Sequence, residues 1–249
     1  MNQRNITFAS FLLTATLHHP LVQAESNVDY SVNLIANYSE ASKPIRVLDK
    51  NSSFRTGGAG LKFKASHNQF GTVYVGGGSG YSPNETASFL GANISGSAKS
   101  IFYNYGYSYK YQLSEKSQLV FAGDYVDYAI EGDFSGDRAG VPVAAKITSD
   151  ISMADISMAW RHSLSDQFYV SLGLGSSRWK IDALAKGSLG DSIRASTQAS
   201  ADGTDPLAFI RAEFNLLGLP LNLRYQQSEL NADNRVMMRS IYLQIRLPL

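Results

Sequence analysis

The stretch IFYNYGYSYKYQL, residues 101–113, decides the fold. Ile101, Tyr103, Tyr105, Tyr107, Tyr109, Tyr111 and Leu113 occupy every second position. Phe102, Asn104, Gly106, Ser108, Lys110 and Gln112 lie between them. A strict period of two is the signature of a β-strand with one apolar and one polar face. Soluble strands usually run about five or six residues, whereas a tilted strand crossing a bilayer needs about nine to eleven. The length of this stripe therefore poses the question of whether its apolar face meets a core or lipid.

The chain begins like an exported protein. Arg4 is a positive n-region, Ile6–Leu17 is uncharged and largely apolar, and Val22-Gln23-Ala24 has the small-x-small form of a cleavage site. Residues 1–24 are expected to be a signal peptide and 25–249 a single outer-membrane barrel domain. The apolar run is too short for a membrane-spanning helix. His18 and His19 fall in this segment and stay out of any site argument. Arg4 is its only charged residue, so the 22 basic and 21 acidic side chains of the full sequence become balanced once it is removed. Neutrality gives no footing for nucleic acid. The absence of cysteine excludes disulfides, thiolate metal sites and a lipidated N-terminal cysteine. Beyond the leader no apolar run approaches the length of a spanning helix, so membrane residence requires a closed barrel.

The alternation recurs along the chain. Val28–Tyr38, Gly58–Ala65, Leu119–Tyr125, Ala154–Arg161, Phe168–Ser177, Ala208–Leu216, Leu219–Gln226 and Ser240–Leu249 repeat it, and Phe70–Gly80 forms a glycine-rich strand of unclear facing. Connections alternate too. Short ones fall at Ser66–Gln69, Ser114–Lys116, Ser163–Asp166 and Leu217–Gly218, and longer ones at Ser39–Ser52, Ser82–Lys99, Glu131–Ser149 and Ala183–Asp205, with a shorter Leu230–Asn234. Short turns on one side and long loops on the other predict an all-β, transmembrane, antiparallel up-and-down barrel of ten strands, with eight as the alternative. The short turns would lie in the periplasm and the long loops outside.

The leader, the alternating strands and the C-terminal strand together resemble a small Gram-negative outer-membrane β-barrel protein. The resemblance is architectural and selects no particular family. In that class the last strand alternates apolar residues and ends on an aromatic that the assembly machinery reads. Ile241, Leu243, Ile245 and Leu247 match, while Leu249 stands in place of the aromatic and Pro248 precedes it. What the resemblance implies is the outer membrane as location, its lipid and lipopolysaccharide as surroundings, and the barrel-assembly machinery as a partner.

If the apolar residues face lipid, Asp29, Lys62, Lys64, Lys110, Asp124, Asp155, Arg161, Arg211, Glu213, Arg224 and Arg246 face the lumen. That set holds seven bases and four acids. Two readings follow: a narrow pore weakly favouring anions, or a plug of paired side chains that stabilises the barrel, since ten strands lie nearer a filled barrel than an open channel. Tyr103, Tyr105, Tyr107, Tyr109, Tyr111 and Trp160 are the lipid-facing aromatics. Interfacial belts account for those near the strand ends. Tyr105 and Tyr107 fall nearer mid-membrane, where a hydroxyl requires a partner, so this strip is expected to be covered by a second barrel in a homo-oligomer.

Other motifs carry less. The omptin proteases resemble this chain in strand number, but their chemistry uses acids and a histidine at the outer rim. The only histidines after the leader, His67 and His162, fall at the periplasmic short turns. The adjacent His162-Ser163 pair is no triad. Asp133 and Asp137 read as solvated charges rather than an acid pair, and adding Asp150 gives no calcium-loop spacing. No catalytic residue, metal site or cofactor is predicted. Gly57–Gly60 and Gly76–Gly80 lack the lysine of a phosphate loop and mark bends or barrel corners. An adhesive or recognition role would rest on the outer loops, of which Ala183–Asp205, with Leu189 and Ile193, is the longest.

Overall fold

The computed structural model describes residues 28–41, 45–46, 51–52, 55–191, 193–230 and 236–247. The leader, Pro248 and Leu249, and parts of the predicted connections Ser39–Ser52 and Leu230–Asn234, lie outside the described residues.

Twelve strands follow in order: β1 Val28–Ala41, β2 Ile45–Arg46, β3 Asn51–Ser52, β4 Arg55–His67, β5 Gly71–Phe89, β6 Ala92–Gln112, β7 Ser117–Arg138, β8 Val141–Ser165, β9 Phe168–Leu189, β10 Ile193–Leu216, β11 Leu219–Leu230 and β12 Val236–Leu247. β2 and β3 form a small separate ribbon. The other ten make a closed antiparallel barrel in which each strand pairs with its chain neighbours and β1 seals the ring against β12. Ring closure leaves no sheet edge at membrane depth, which is what hydrocarbon demands of a β-structure.

The facing of each strand follows its alternation. In β6 Tyr103, Tyr105, Tyr107 and Tyr111 are exposed on the outer surface. They join Leu61, Phe63, Val73, Phe121, Ile156, Met158, Trp160, Leu172, Leu174 and Ile210 in an apolar belt around the barrel. On β6 the belt runs from Ile101 to Tyr111 and stops at Lys99, a span that matches the nine to eleven residues of a bilayer-crossing strand. The Tyr107 hydroxyl donates to the Phe70 carbonyl at 2.6 Å, in the turn before β5, and Tyr105 stacks on Tyr125 at 5.0 Å. Tyr107 thus has a hydrogen-bond partner within its own chain.

Short turns close one end. Two-residue hairpins with both central residues at positive φ occur at both ends: Leu217 and Gly218 join β10 to β11 at the short-turn end, while Leu90 and Gly91 join β5 to β6 and Ala139 and Gly140 join β7 to β8 at the outer tips. This is the twist-matched hairpin geometry. The glycine runs of β4 and β5 sit side by side in register, Gly60 against Gly78 and Gly58 against Gly80. A Cβ on Gly78 would run into the Ala59 carbonyl oxygen, and one on Gly60 into that of Gly77. The two backbones approach so closely there that only glycine fits.

The segments read as long outer connections are long, and most of their length is paired strand. Residues 82–89, 92–99, 131–138, 141–149, 183–189 and 193–205 continue β5–β10 beyond the belt. β8 alone has 25 residues. Its outer 12 or so extend about 40 Å along the strand. In this extension the faces exchange roles. On β9 the outward residues change from Leu172 and Leu174 to Arg178, Lys180 and Asp182, while the inward ones change from Ser171 and Gly173 to Trp179, Ile181, Ala183 and Ala185. Below the switch apolar groups meet lipid; above it they fill an interior and polar groups meet water. Phe89, Ala92, Ile94, Phe134, Val143, Ala145 and Ala185 make the core of this six-stranded outer sheet. Its tips are tied together by Arg138 Nη1 donating to the Leu90 carbonyl and Gly190 N–H donating to the Pro142 carbonyl. β11 pairs β10 only from Leu207 onward, so among the described residues no strand pairs with residues 193–204 of β10 on the side away from β9.

Candidate functional site

Two places concentrate polar chemistry: the interior of the barrel at belt depth and the outer sheet.

Inside the barrel, near the short-turn end, Arg161 on β8 is buried. Its Nε and Nη2 donate to both oxygens of Glu213 on β10 at 2.8–3.3 Å, and Nη1 donates to Gln118 at 2.9 Å. Its guanidinium lies 3.7 Å from the centroid of the Tyr169 ring. The pair bridges β9 from either side, and each nitrogen of the guanidinium has an acceptor, as a desolvated ion pair requires. Farther in, a cavity of about 200 Å³ is lined by Lys62, Lys64, Asp124, Asp155, Arg211 and Arg224, together with Tyr74, Asn104, Tyr128, Gln226, Tyr242 and Gln244. Arg224 reaches Asp124 across the lumen at 3.9 Å. Gln226 donates to Asp155 at 3.5 Å. Lys62 sits 4.1 Å above the Tyr74 ring and, with the Asn104 amide turned to suit, donates to its oxygen at 3.1 Å. The Arg224 and Arg211 guanidiniums lie 4.0 and 5.5 Å from the Phe209 ring.

Of the remaining residues singled out in the sequence, Lys110 lies exposed toward the short-turn mouth. Asp29 and Arg246 pair at the rim at 2.8 Å, both well exposed. Phe209, Tyr169, Gln118 and Trp179 are absent from the sequence-derived set. Phe209 carried a signal, an aromatic on the polar face of its strand beside Arg211. Tyr169 and Gln118 carried none, because their roles depend on which strands lie across from them.

Above the cavity the lumen is apolar. Leu207 and Phe209 pack with Val120 and Ala159. Trp179 and Ile181 pack with Ile151, Met153, Ala201 and Met238. The buried Trp179 indole donates to Asp205 at 2.6 Å.

The two histidines serve turns. His67 Nδ1 accepts from the Gln69 and Phe70 backbone N–H groups. His162 Nδ1 lies 2.9 Å from the Ser117 hydroxyl, and its ring stacks on Trp160. Asp137 accepts from Gly140 N–H and caps the β7–β8 turn. Asp133 and Asp150 are exposed on the outer surface. Among the described residues no three His, Cys, Asp or Glu side chains gather as metal ligands.

The chain has the architecture of an outer-membrane β-barrel, a closed antiparallel ring girdled by an apolar belt. No protein-family model and no curated protein matches it. Among solved structures it is similar to the translocator domain of the autotransporter NalP from Neisseria meningitidis, with 11% identity, 98% of this chain and 94% of that chain covered, and a TM-score of 0.49. It is also similar to the outer membrane protease OmpT from Escherichia coli (7% identity, 92% and 97% covered, TM-score 0.42). A third is the attachment invasion locus protein Ail of Yersinia pestis (12% identity, 89% and 99% covered, TM-score 0.39). These likenesses concern architecture alone, and no activity passes from them to this chain.

The outer sheet presents charges on its water-facing surface. Lys146 pairs with Glu131. Lys180 pairs with Asp182 at 2.6 Å, and Ser200 donates to the same carboxylate. The Lys180 and Ser200 hydrogen bonds hold the Asp182 carboxyl below its ordinary range. Near the tip an open groove is lined by Lys146, Lys186 and Arg194 facing Asp133, with Phe134 and Ala145 at its base.

Proposed function

We propose that this protein is a surface recognition barrel, in which the belt-depth barrel anchors and the outer sheet contacts a partner outside the cell. One observation carries the reading. Six strands continue past the lipid belt as a hydrogen-bonded sheet with its own core of Phe89, Ile94, Phe134 and Val143. Solute passage needs no such structure, whereas a rigid platform held off the membrane suits binding. The edge of β10 at residues 193–204, which no strand among the described residues pairs, and the basic groove of Lys146, Lys186 and Arg194 supply backbone and charged groups for contact. The barrel interior, crossed by the Arg161–Glu213 pair and capped by Phe209 and Trp179, is not laid out as a conduit.

The test shortens the three outer hairpins to tight turns at the belt, joining Ser82 to Lys99, Glu131 to Ser149 and Ala183 to Ala199. Bacteria displaying the intact protein should attach to a panel of epithelial cells and extracellular-matrix proteins. Bacteria displaying the shortened barrel, folded as judged by heat-modifiable migration, should lose that attachment. Equal attachment by both would overturn the reading.

A further inference from the structure

The barrel interior holds an arrangement that structural ballast does not explain. Arg211 on β10 and Arg224 on β11 are directly opposite one another in register. Like charges at facing positions of neighbouring strands destabilise a sheet, and these two line a narrow cavity inside the barrel, where screening is weaker than in bulk water. Their neighbourhood aggravates the conflict. Lys62 and Lys64 line the same cavity from β4, so four cations meet two carboxylates, Asp124 and Asp155. Only Arg224 has a carboxylate within 4 Å, at 3.9 Å, the long limit of an ion pair. Among the described residues Lys62, Lys64 and Arg211 have none. Among the described residues the Nε and Nη2 of Arg224 and the Nε of Arg211 are buried donors with no acceptor. The Phe209 ring beside the guanidiniums accepts no full hydrogen bond from them. A buried cation left without a counter-charge is strongly destabilising, so a sequence that keeps several together implies a compensating negative charge.

We propose that the cavity binds a small oxyanion of the phosphate or sulfate class, bridged by Arg211 and Arg224 and faced by Lys62 and Lys64. Guanidiniums present paired N–H groups that match the oxygens of such an anion, so two of them opposite one another form a bridging seat. Lys62 and Lys64 supply point charges from the opposing wall, and the cavity of about 200 Å³ leaves room for the anion with its remaining waters. The ligand is a free solute, because the seat lies on the interior wall, away from lipid.

The experiment uses the folded protein in detergent micelles free of phospholipid, titrated calorimetrically with inorganic phosphate at constant ionic strength against a sodium chloride control. Saturable binding with one phosphate per barrel is expected, weakened at least tenfold by Arg224→Gln and by Arg211→Gln. Phosphate should raise the unfolding temperature of the parent protein, and chloride at equal ionic strength should not. If the arginine variants do not fold, Lys64→Gln on the opposite wall is the substitute and should weaken binding several-fold. The proposal is overturned if folded parent protein takes up no phosphate, if chloride stabilises it equally, if the variants bind as the parent does, or if binding appears only on addition of phospholipid or lipopolysaccharide.

Discussion

Arg161 and Glu213 show how the lumen treats charge when charge is resolved. Each comes from a strand whose alternation placed it on the polar face, and β9 separates them. Their two-oxygen contact is completed by Gln118 and by the Tyr169 ring. The facing was legible residue by residue, since Trp160 and Ala212 beside them read as outward. The pairing was not legible, because it depends on register across two strand interfaces that no local pattern encodes. Removing one member of such a pair costs more than the pair contributes, because the survivor remains charged and desolvated. Glu213→Ala should therefore destabilise the folded barrel by about 3 kcal/mol. Arg161→Met with Glu213→Leu, which removes both charges and keeps volume, should recover most of that loss. Urea unfolding in detergent, followed by tryptophan fluorescence, measures both. If the double substitution is as damaging as the single, the pair matters by shape rather than by charge.

At the scale of the element, each long strand carries two amphipathic patterns of opposite sense. On β8 Ala154, Ile156, Met158 and Trp160 face lipid, whereas Val143, Ala145, Ile147, Ile151 and Met153 face inward. The apolar residues pass from odd to even positions near residue 153 as the chain enters the bilayer. The switch follows from the surroundings: lipid rewards apolar groups outside, and water rewards them inside. Reading the chain for one continuous stripe finds the belt and ends the strand at the switch, so the outer halves look like loops rich in Gly, Ser and Ala. The second stripe was present in the sequence, and it became legible only once the strand was allowed to invert. The outer sheet should then behave as an element with its own stability. Ile94, almost wholly buried against Phe134 and Val143, is its test position. Ile94→Ala should cost about 3 kcal/mol there and leave the belt untouched. Limited proteolysis of intact cells should cut the variant at the outer hairpins at least tenfold faster than the parent, while heat-modifiable migration of the residual barrel is unchanged. Global loss of the folded band would mean that sheet and barrel unfold as one unit.

At the scale of the molecule, the two patterns stack into a lumen that is charged at belt depth and apolar above. Ten strands enclose too little space for a channel of porin width, and the space above the cationic cavity is taken by Leu207, Phe209, Trp179 and Ile181. The closure is thus made of a few large side chains resting on small neighbours. A Cβ added at Gly173 would strike Phe209, and one added at Gly203 would strike Trp179. The architecture therefore separates a polar vestibule open toward the short-turn end from the outer face by one apolar layer. Purified parent protein in planar bilayers should show no steady openings. Phe209→Ala combined with Trp179→Ala, which empties that layer, should produce them. Because Lys62, Lys64, Arg211 and Arg224 outnumber Asp124 and Asp155 along the opened path, the reversal potential under a salt gradient should favour chloride over potassium, and Arg224→Glu in the same background should move it toward potassium. Steady openings of equal size in the parent would place the closure elsewhere. Openings in the double variant without anion preference would mean that ions bypass the cationic cavity.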